Sequence, residues 1–111
     1  MKSHVNICGY DALIGMTALT DYCAAAGVTL DKFFSDMEQG AGQLLTLRRL
    51  FYFGVKVYAE YKELPFSKTE RQFMIELDEL GFGIEEVEQV VAALMAGMER
   101  IEKPKAGAKK K

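Results

Sequence analysis

The sequence predicts a mainly α-helical fold, a compact bundle of about five helices with a short N-terminal strand or extended arm. Apolar residues recur at three- and four-residue steps along most of the chain, and capping residues divide these runs. Half of the 111 residues are hydrophobic, which suffices for one core. We therefore expect an arm over residues 1–9, a helical domain over 10–102 and a disordered Lys-rich tail over 103–111.

A change in the spacing of the apolar residues separates the first two predicted elements. The segment "SHVNICGY" alternates weakly, with Val5 and Ile7 on one side, so it is predicted to be a short strand or arm. From Tyr10 the spacing becomes helical. Gly27 suits the left-handed cap that ends this first helix. Thr29 is expected to cap a second helix, which Gly40 and the joint "GAG" end.

The third predicted helix, from about Gln43 to Lys62, is apolar around most of its circumference. A helix of this kind is usually central and contacts neighbours on two sides. Gly54 lies inside it, where glycine costs up to ~1 kcal/mol relative to alanine. We therefore expect Gly54 to permit close contact with another helix.

The last two helices have clear start signals. Pro65 ends the third helix, and the segment Ser67–Glu70 matches a capping box for the fourth. The fifth is expected from Ile84 to about Glu102, closed by Pro104. Its apolar stripe is typical of a core face, although a seam between two copies stays open. That stripe comprises Ile84, Val87, Val91, Leu94, Met98 and Ile101.

The charge distribution argues against nucleic acid and membranes. Residues 103–111 carry five lysines and no acid, so the net charge of −2 leaves −7 for residues 1–102. That acidic part would repel a phosphate backbone. The most apolar stretch, residues 44–61, is interrupted by Arg48, Arg49, Lys56 and Glu60, so we expect no span of a bilayer.

The side chains that could carry chemistry are few. The only histidine is His4 and the only cysteines are Cys8 and Cys23, fewer than the four ligands of a structural zinc site. Both cysteines are interpreted as small hydrophobic residues in a reducing, cytosolic compartment. We expect no metal, no cofactor and no enzymatic activity. An enzyme that uses Cys8 or Cys23 is the weaker alternative.

Four side chains of the third helix are candidates for partner binding. Arg48 and Arg49 either pair with acids of the last two helices, which we favour, or enter the acidic groove of a partner. Tyr52 and Tyr61 would mark an exposed protein-binding patch, since tyrosine is enriched at interfaces. The exposed part of the last helix is a further candidate.

The order of motifs resembles the small tail assembly chaperones of long-tailed bacteriophages and prophages. The matching segments are "GVTLDKF" at 27–33, "LRRLFYFG" at 47–54 and the closing "GIEEVEQVV" at 83–91, within a resemblance over about residues 5–95. The family often has a fuller N-terminal hairpin. This chain has one short run there, so a hairpin is not assured.

The resemblance implies a non-enzymatic assembly factor in the bacterial host cytoplasm. Such proteins bind the tape measure protein and tail tube subunits until the tube polymerises; a homo-oligomer is left open. Their genes often carry a programmed ribosomal frameshift near the end, with which the final "KKK" is compatible. A plain solubilising tail explains the lysines equally well. The alternative function is a generic helical interaction or regulatory module.

Overall fold

The computed structural model describes residues 3–39 and 43–110. The helical bundle with an N-terminal strand is confirmed, and the strand is one half of a hairpin. The elements are β1 (His4–Ile7), β2 (Tyr10–Leu13), α1 (Met16–Ala26), α2 (Leu30–Gln39), α3 (Gln43–Lys62), α4 (Glu70–Leu80) and α5 (Ile84–Lys110).

The N-terminal hairpin is the main difference from the predicted fold. β1 and β2 pair antiparallel, with Ile7 opposite Tyr10. The two loop residues, Cys8 (φ 55°) and Gly9 (φ 84°), are both left-handed, as a type I′ turn requires. The helical domain predicted from Tyr10 is therefore wrong at its start: a strand comes first and α1 begins at Met16. Residues 10–13 form a strand rather than a helix because they pair with β1, and Ala12 is then completely buried in the core.

The turn from α1 to α2 is formed as predicted. Gly27 is left-handed (φ 72°), and its N–H donates to the Cys23 carbonyl at 2.9 Å. Thr29 caps α2 by accepting a hydrogen bond from the Lys32 amide at 3.1 Å. The predicted stop at Gly40 and the joint at 40–42 lie outside the described residues.

α3 is the centre of the fold, as its apolar circumference predicts. It packs against the hairpin, α1, α4 and α5, and all residues from 51 to 55 are buried. Gly54 does permit a close approach, but the neighbour is β2 rather than a helix. An added Cβ at Gly54 would lie 3.1 Å from the Leu13 carbonyl oxygen and 3.3 Å from the Ala12 Cβ.

The cap of α4 lies two residues beyond the predicted one. Thr69, not Ser67, accepts from the Gln72 amide at 3.1 Å, and the Gln72 side chain accepts from the Thr69 amide at 2.9 Å. This is the same capping-box chemistry with glutamine at its third position, and it leaves Glu70 in the first turn. At the other end Gly81 is left-handed (φ 78°) and Phe82 enters the core.

α5 differs from its prediction in length and in its buried stripe. It continues to Lys110, where the sequence predicted a stop at Pro104 and a disordered tail. A proline removes one intrahelical hydrogen bond, and it can kink a helix without ending it. Within residues 84–98, where the burial of α5 is described, the buried residues are Val87, Val90, Ala93 and Leu94, whereas Ile84 is 69% exposed in the first turn. Ile101 of the predicted stripe lies outside the residues whose burial is described. Among the described residues, no helix combines the length and apolarity needed to cross a bilayer.

Candidate partner-binding surface

Of the aromatic side chains described on α3, the most exposed is that of Tyr61, at 59%. It lies near the C-terminal end of the helix, beside the hairpin and the start of α1. We call this region the Tyr61 surface and define it by Leu13, Met16, Val57, Tyr58 and Tyr61, which line the two hollows described next.

Two adjoining hollows flank Tyr61, and the side chains of Tyr61 and Leu13 line both of them. The first, about 220 Å³, lies between His4, Tyr58 and Lys62. The second, about 310 Å³, opens towards the start of α1 at Met16. Because α3 supplies one wall and the hairpin with α1 the other, this surface exists only when the N-terminal third of the chain has folded onto α3. Apolar side chains near a tyrosine are typical of protein-binding patches.

The rim of the Tyr61 surface is polar. The His4 ring stacks on Tyr58 with centroids 5.5 Å apart, and His4 Nε2 lies 2.9 Å from Asp11 Oδ1. The Asn6 side-chain amide donates to the same oxygen at 3.1 Å. The hydrogen bond from Asn6, then that from His4, lowers the pKa of Asp11 below its usual value. The carboxylate thereby orients the histidine beside the first hollow.

Arg48 is committed to contacts inside the fold. Its guanidinium donates to Asp78 at 2.5 Å and to the Phe82 carbonyl at 2.6 Å, and it lies 5.7 Å from the centre of the Phe82 ring. Its Nε is buried without a hydrogen-bond partner. Arg48 therefore joins α3 to the end of α4, as the favoured interpretation expected.

Arg49 is also paired within the chain, with the other end of α4. Its Nε donates to Glu70, and the guanidinium lies 5.3 Å from the centre of the Tyr22 ring. The hydrogen bond to Glu70 raises the arginine pKa above its usual value. The intramolecular pairing expected for both arginines is thus present, and partner binding by either one stays a prediction.

Tyr52 does not lie on an exposed patch, contrary to the sequence interpretation. Only 6% of it is exposed, and its hydroxyl donates to the Lys68 carbonyl at 2.9 Å. Burial raises the pKa of the phenol, and the Glu70 carboxylate adds to that shift. Among the four candidates, Tyr61 is the one with a largely exposed side chain; nine positions along α3 place Tyr52 on another face of the helix.

A polar cluster that the sequence did not predict fixes the hairpin to α4. The Tyr10 hydroxyl donates to Glu76 at 2.6 Å, and Lys68 Nζ lies 2.9 Å from Glu76 and 3.2 Å from the Tyr10 hydroxyl. The bond from Tyr10, then that from Lys68, lowers the pKa of Glu76. These residues lie 58 and 66 positions from Tyr10, so no local spacing could have revealed them.

The cysteines occupy different environments. Cys23 is buried on α1, and Cys8 is half-buried in the hairpin turn. Burial raises the pKa of both thiols, and the Glu86 carboxylate raises that of Cys8 further. A raised pKa leaves less of the nucleophilic thiolate at neutral pH. The described residues contain no group of three side chains suited to a metal ion.

Further apolar side chains are exposed on the other helices. Met95 on α5 is 60% exposed and Ile84 more so, which leaves the predicted contact along the last helix open. Leu45 on α3 and Ile75 on α4 are likewise exposed.

Comparison of the chain with known proteins found no match. No family model matches the chain, and neither a curated protein nor a solved structure does.

Proposed function

We propose that this protein is a non-enzymatic tail assembly chaperone of a long-tailed bacteriophage or prophage, acting in the host cytoplasm. Its partners would be the tape measure protein and the tail tube protein. The observation that carries the proposal is the Tyr61 surface, an apolar area with an exposed aromatic residue and two open hollows. A chaperone of this type needs such an area to cover apolar segments of a partner.

The motifs that carry the resemblance support the same proposal. "GVTLDKF" supplies the cap of α1 and the start of α2, and "LRRLFYFG" is the buried middle of α3. Both segments therefore build the scaffold that holds the Tyr61 surface in place. The surface itself is formed by residues outside those two motifs, so partner choice can vary while the scaffold stays the same.

The test is co-expression with the tape measure protein encoded in the same genome. The wild-type chain should co-purify with it and raise its soluble fraction. Tyr61→Asp places a charge in the apolar area and should weaken binding about tenfold or more. The measurements are the amount of tape measure protein captured and a dissociation constant from calorimetry.

Ile75→Asp is the matched control, because Ile75 is exposed to a similar degree but lies on α4. It should bind like the wild type. A wild-type chain that neither captures nor solubilises the tape measure protein would contradict the proposed function. Binding that survives Tyr61→Asp but not Ile75→Asp would move the contact to α4.

A further inference from the structure

The two ends of α5 carry opposite charges. Its first eight residues, 84–91, contain three glutamates and no basic residue, and its last eight, 103–110, contain four lysines and no acid. Charges of these signs stabilise a helix dipole, but that effect falls off within the first and last turn. Glu88 and Lys103 lie beyond those turns, so the dipole does not account for the whole separation of charge.

The acidic end of α5 is open to solvent on the face turned away from the core. Four exposed residues follow one another there at the three- and four-residue steps of one helix face: Glu85, Glu88, Ala92 and Met95. None of the ion pairs in the described part of the chain includes Glu85 or Glu88. Glu86, in contrast, has a role within the fold, because its carboxylate accepts a hydrogen bond from the Gly83 amide at 2.7 Å.

The same spacing continues to the end of the helix. Steps of three and four from Met95 reach positions 99, 103, 106 and 110, where the sequence has Glu, Lys, Ala and Lys. The opposite face packs in the core through Val87, Val90 and Leu94. A second helix lying along α5 would therefore use the outward line, which is acidic at one end and basic at the other.

We propose that two copies of this chain form a two-fold symmetric dimer by antiparallel packing of their α5 helices. A two-fold axis level with residue 97 sets residues 84–91 of one copy opposite 103–110 of its mate, so each acidic end faces a basic end. Ala92 and Met95 of the two copies meet near the centre and add an apolar contact. A parallel pair would instead set like charges opposite each other at both ends.

Charge complementarity is what favours a second copy over another partner. Any partner that matched both ends would need acid and base in the reverse order, with their centres about 28 Å apart along the helix. A second copy meets this condition because its charges are separated along one helix; a helix with mixed charges would not. Within one chain the two ends cannot meet, since the helix is continuous between them.

The proposal is independent of the assembly function, because dimerisation is measured on the isolated chain. Sedimentation across a range of protein concentrations gives the dimer dissociation constant. The wild type should dimerise at low salt, and added salt should weaken the dimer because exposed charges are screened.

Two variants reverse the charge at one end of α5 each. The acidic-end variant carries Glu85→Lys and Glu88→Lys, which makes both ends of its helix basic. The basic-end variant carries Lys103→Glu, Lys109→Glu and Lys110→Glu, which makes both ends acidic. Like charges then oppose each other in either homodimer, so each variant should raise the dissociation constant about tenfold or more at low salt.

The decisive sample is a mixture of the two variants. A mixed pair is complementary at both ends, so the mixture should form heterodimers although neither variant dimerises alone. The matched control carries Glu60→Lys and Glu79→Lys, the same change in net charge at exposed residues outside α5. It should dimerise like the wild type, and circular dichroism should show the same helix content in every variant.

A wild-type chain that stays monomeric at all concentrations in low salt would overturn the proposal. So would a dimer that neither variant weakens, which would place the contact elsewhere, such as the Tyr61 surface. Equal weakening by the acidic-end variant and the control would assign the effect to net charge rather than to α5. A mixture that remains monomeric while the wild type dimerises would reject charge pairing along the helix.

Discussion

Single residues show how much of this fold depends on close approach between backbones. At Gly54 the absent side chain lets α3 lie against β2, and at Gly97 it lets α5 lie near Ser3 and Gly15. The two positions differ in the room that remains. An added Cβ at Gly54 would clash with Ile14 Cδ1, whereas the atoms nearest to an added Cβ at Gly97 would be 3.4 Å away.

We expect Gly54→Ala to lower the free energy of unfolding by about 1–3 kcal/mol, as overpacking typically does. The Ile14 side chain can move, but the Leu13 carbonyl belongs to the backbone and cannot yield easily. Gly97→Ala is the control: it meets ordinary contact distances and gains helix propensity of up to ~1 kcal/mol. Urea unfolding measures both, and equal destabilisation by the two variants would contradict the prediction.

The sequence indicated that Gly54 serves close contact but not what it contacts. Glycine within a helix is recognisable because it costs stability there. Its neighbour is a strand residue some forty positions earlier, and no periodicity links the two. In the same way, pairing of Arg48 and Arg49 with acids was expected, but the burial of Tyr52 depends on how α4 crosses α3, which a single sequence does not encode locally.

At the scale of elements, the presence of five helices was predictable from the sequence, whereas the hairpin and several helix ends were not. The bounds of α3 match the prediction because its apolar run is long and its ends are marked. The spacing of Leu13, Met16 and Leu19 fits a helical face, yet Leu13 ends a strand. The sequence also gave little indication of the turn between β1 and β2, since cysteine is an unusual residue for the left-handed position that Cys8 occupies.

The cluster that joins the hairpin to α4 should make stability depend on pH. The pKa of Glu76 is lowered in the folded protein, so the ionised carboxylate is favoured by folding. Its contribution is therefore present above the unfolded pKa of about 4.3 and is lost as the pH falls through the lower folded pKa. Glu76→Gln should flatten the fall in stability over that acid range.

Thermal unfolding from neutral pH into the acid range measures this effect. Tyr10→Phe removes the main hydrogen-bond donor to Glu76 and should flatten the same part of the curve. Because the two residues share one interaction, the double variant should show less than the sum of the single effects. Additive effects would mean that the hydrogen bond does not set the pKa of Glu76.

For the molecule as a whole, protection of the Cys23 thiol from chemical labelling should report on complete unfolding. Cys23 is buried between α1 and the core, whereas Cys8 is half-buried in a surface turn. A thiol reagent at neutral pH should label Cys8 first and Cys23 only at the rate of global opening. Mass spectrometry of the labelled chain separates the two sites.

The same experiment weighs the enzymatic alternative. A catalytic thiol has a lowered pKa and reacts rapidly, while burial raises the pKa of both thiols in this fold. Labelling of either thiol in the folded chain much faster than that of a free cysteine would favour the alternative. Cys8→Ser and Cys23→Ala identify which thiol reacts.

The central place of α3 has a consequence for fragments of this protein. The third helix packs against the hairpin, α1, α4 and α5, so its neighbours come from both the first and the last thirds of the sequence. Proteolysis before or after α3 would leave one fragment without α3, its main packing partner. The other fragment would contain α3 with part of its apolar surface exposed to water. Neither piece should fold alone, so the chain is expected to persist or be degraded as one unit.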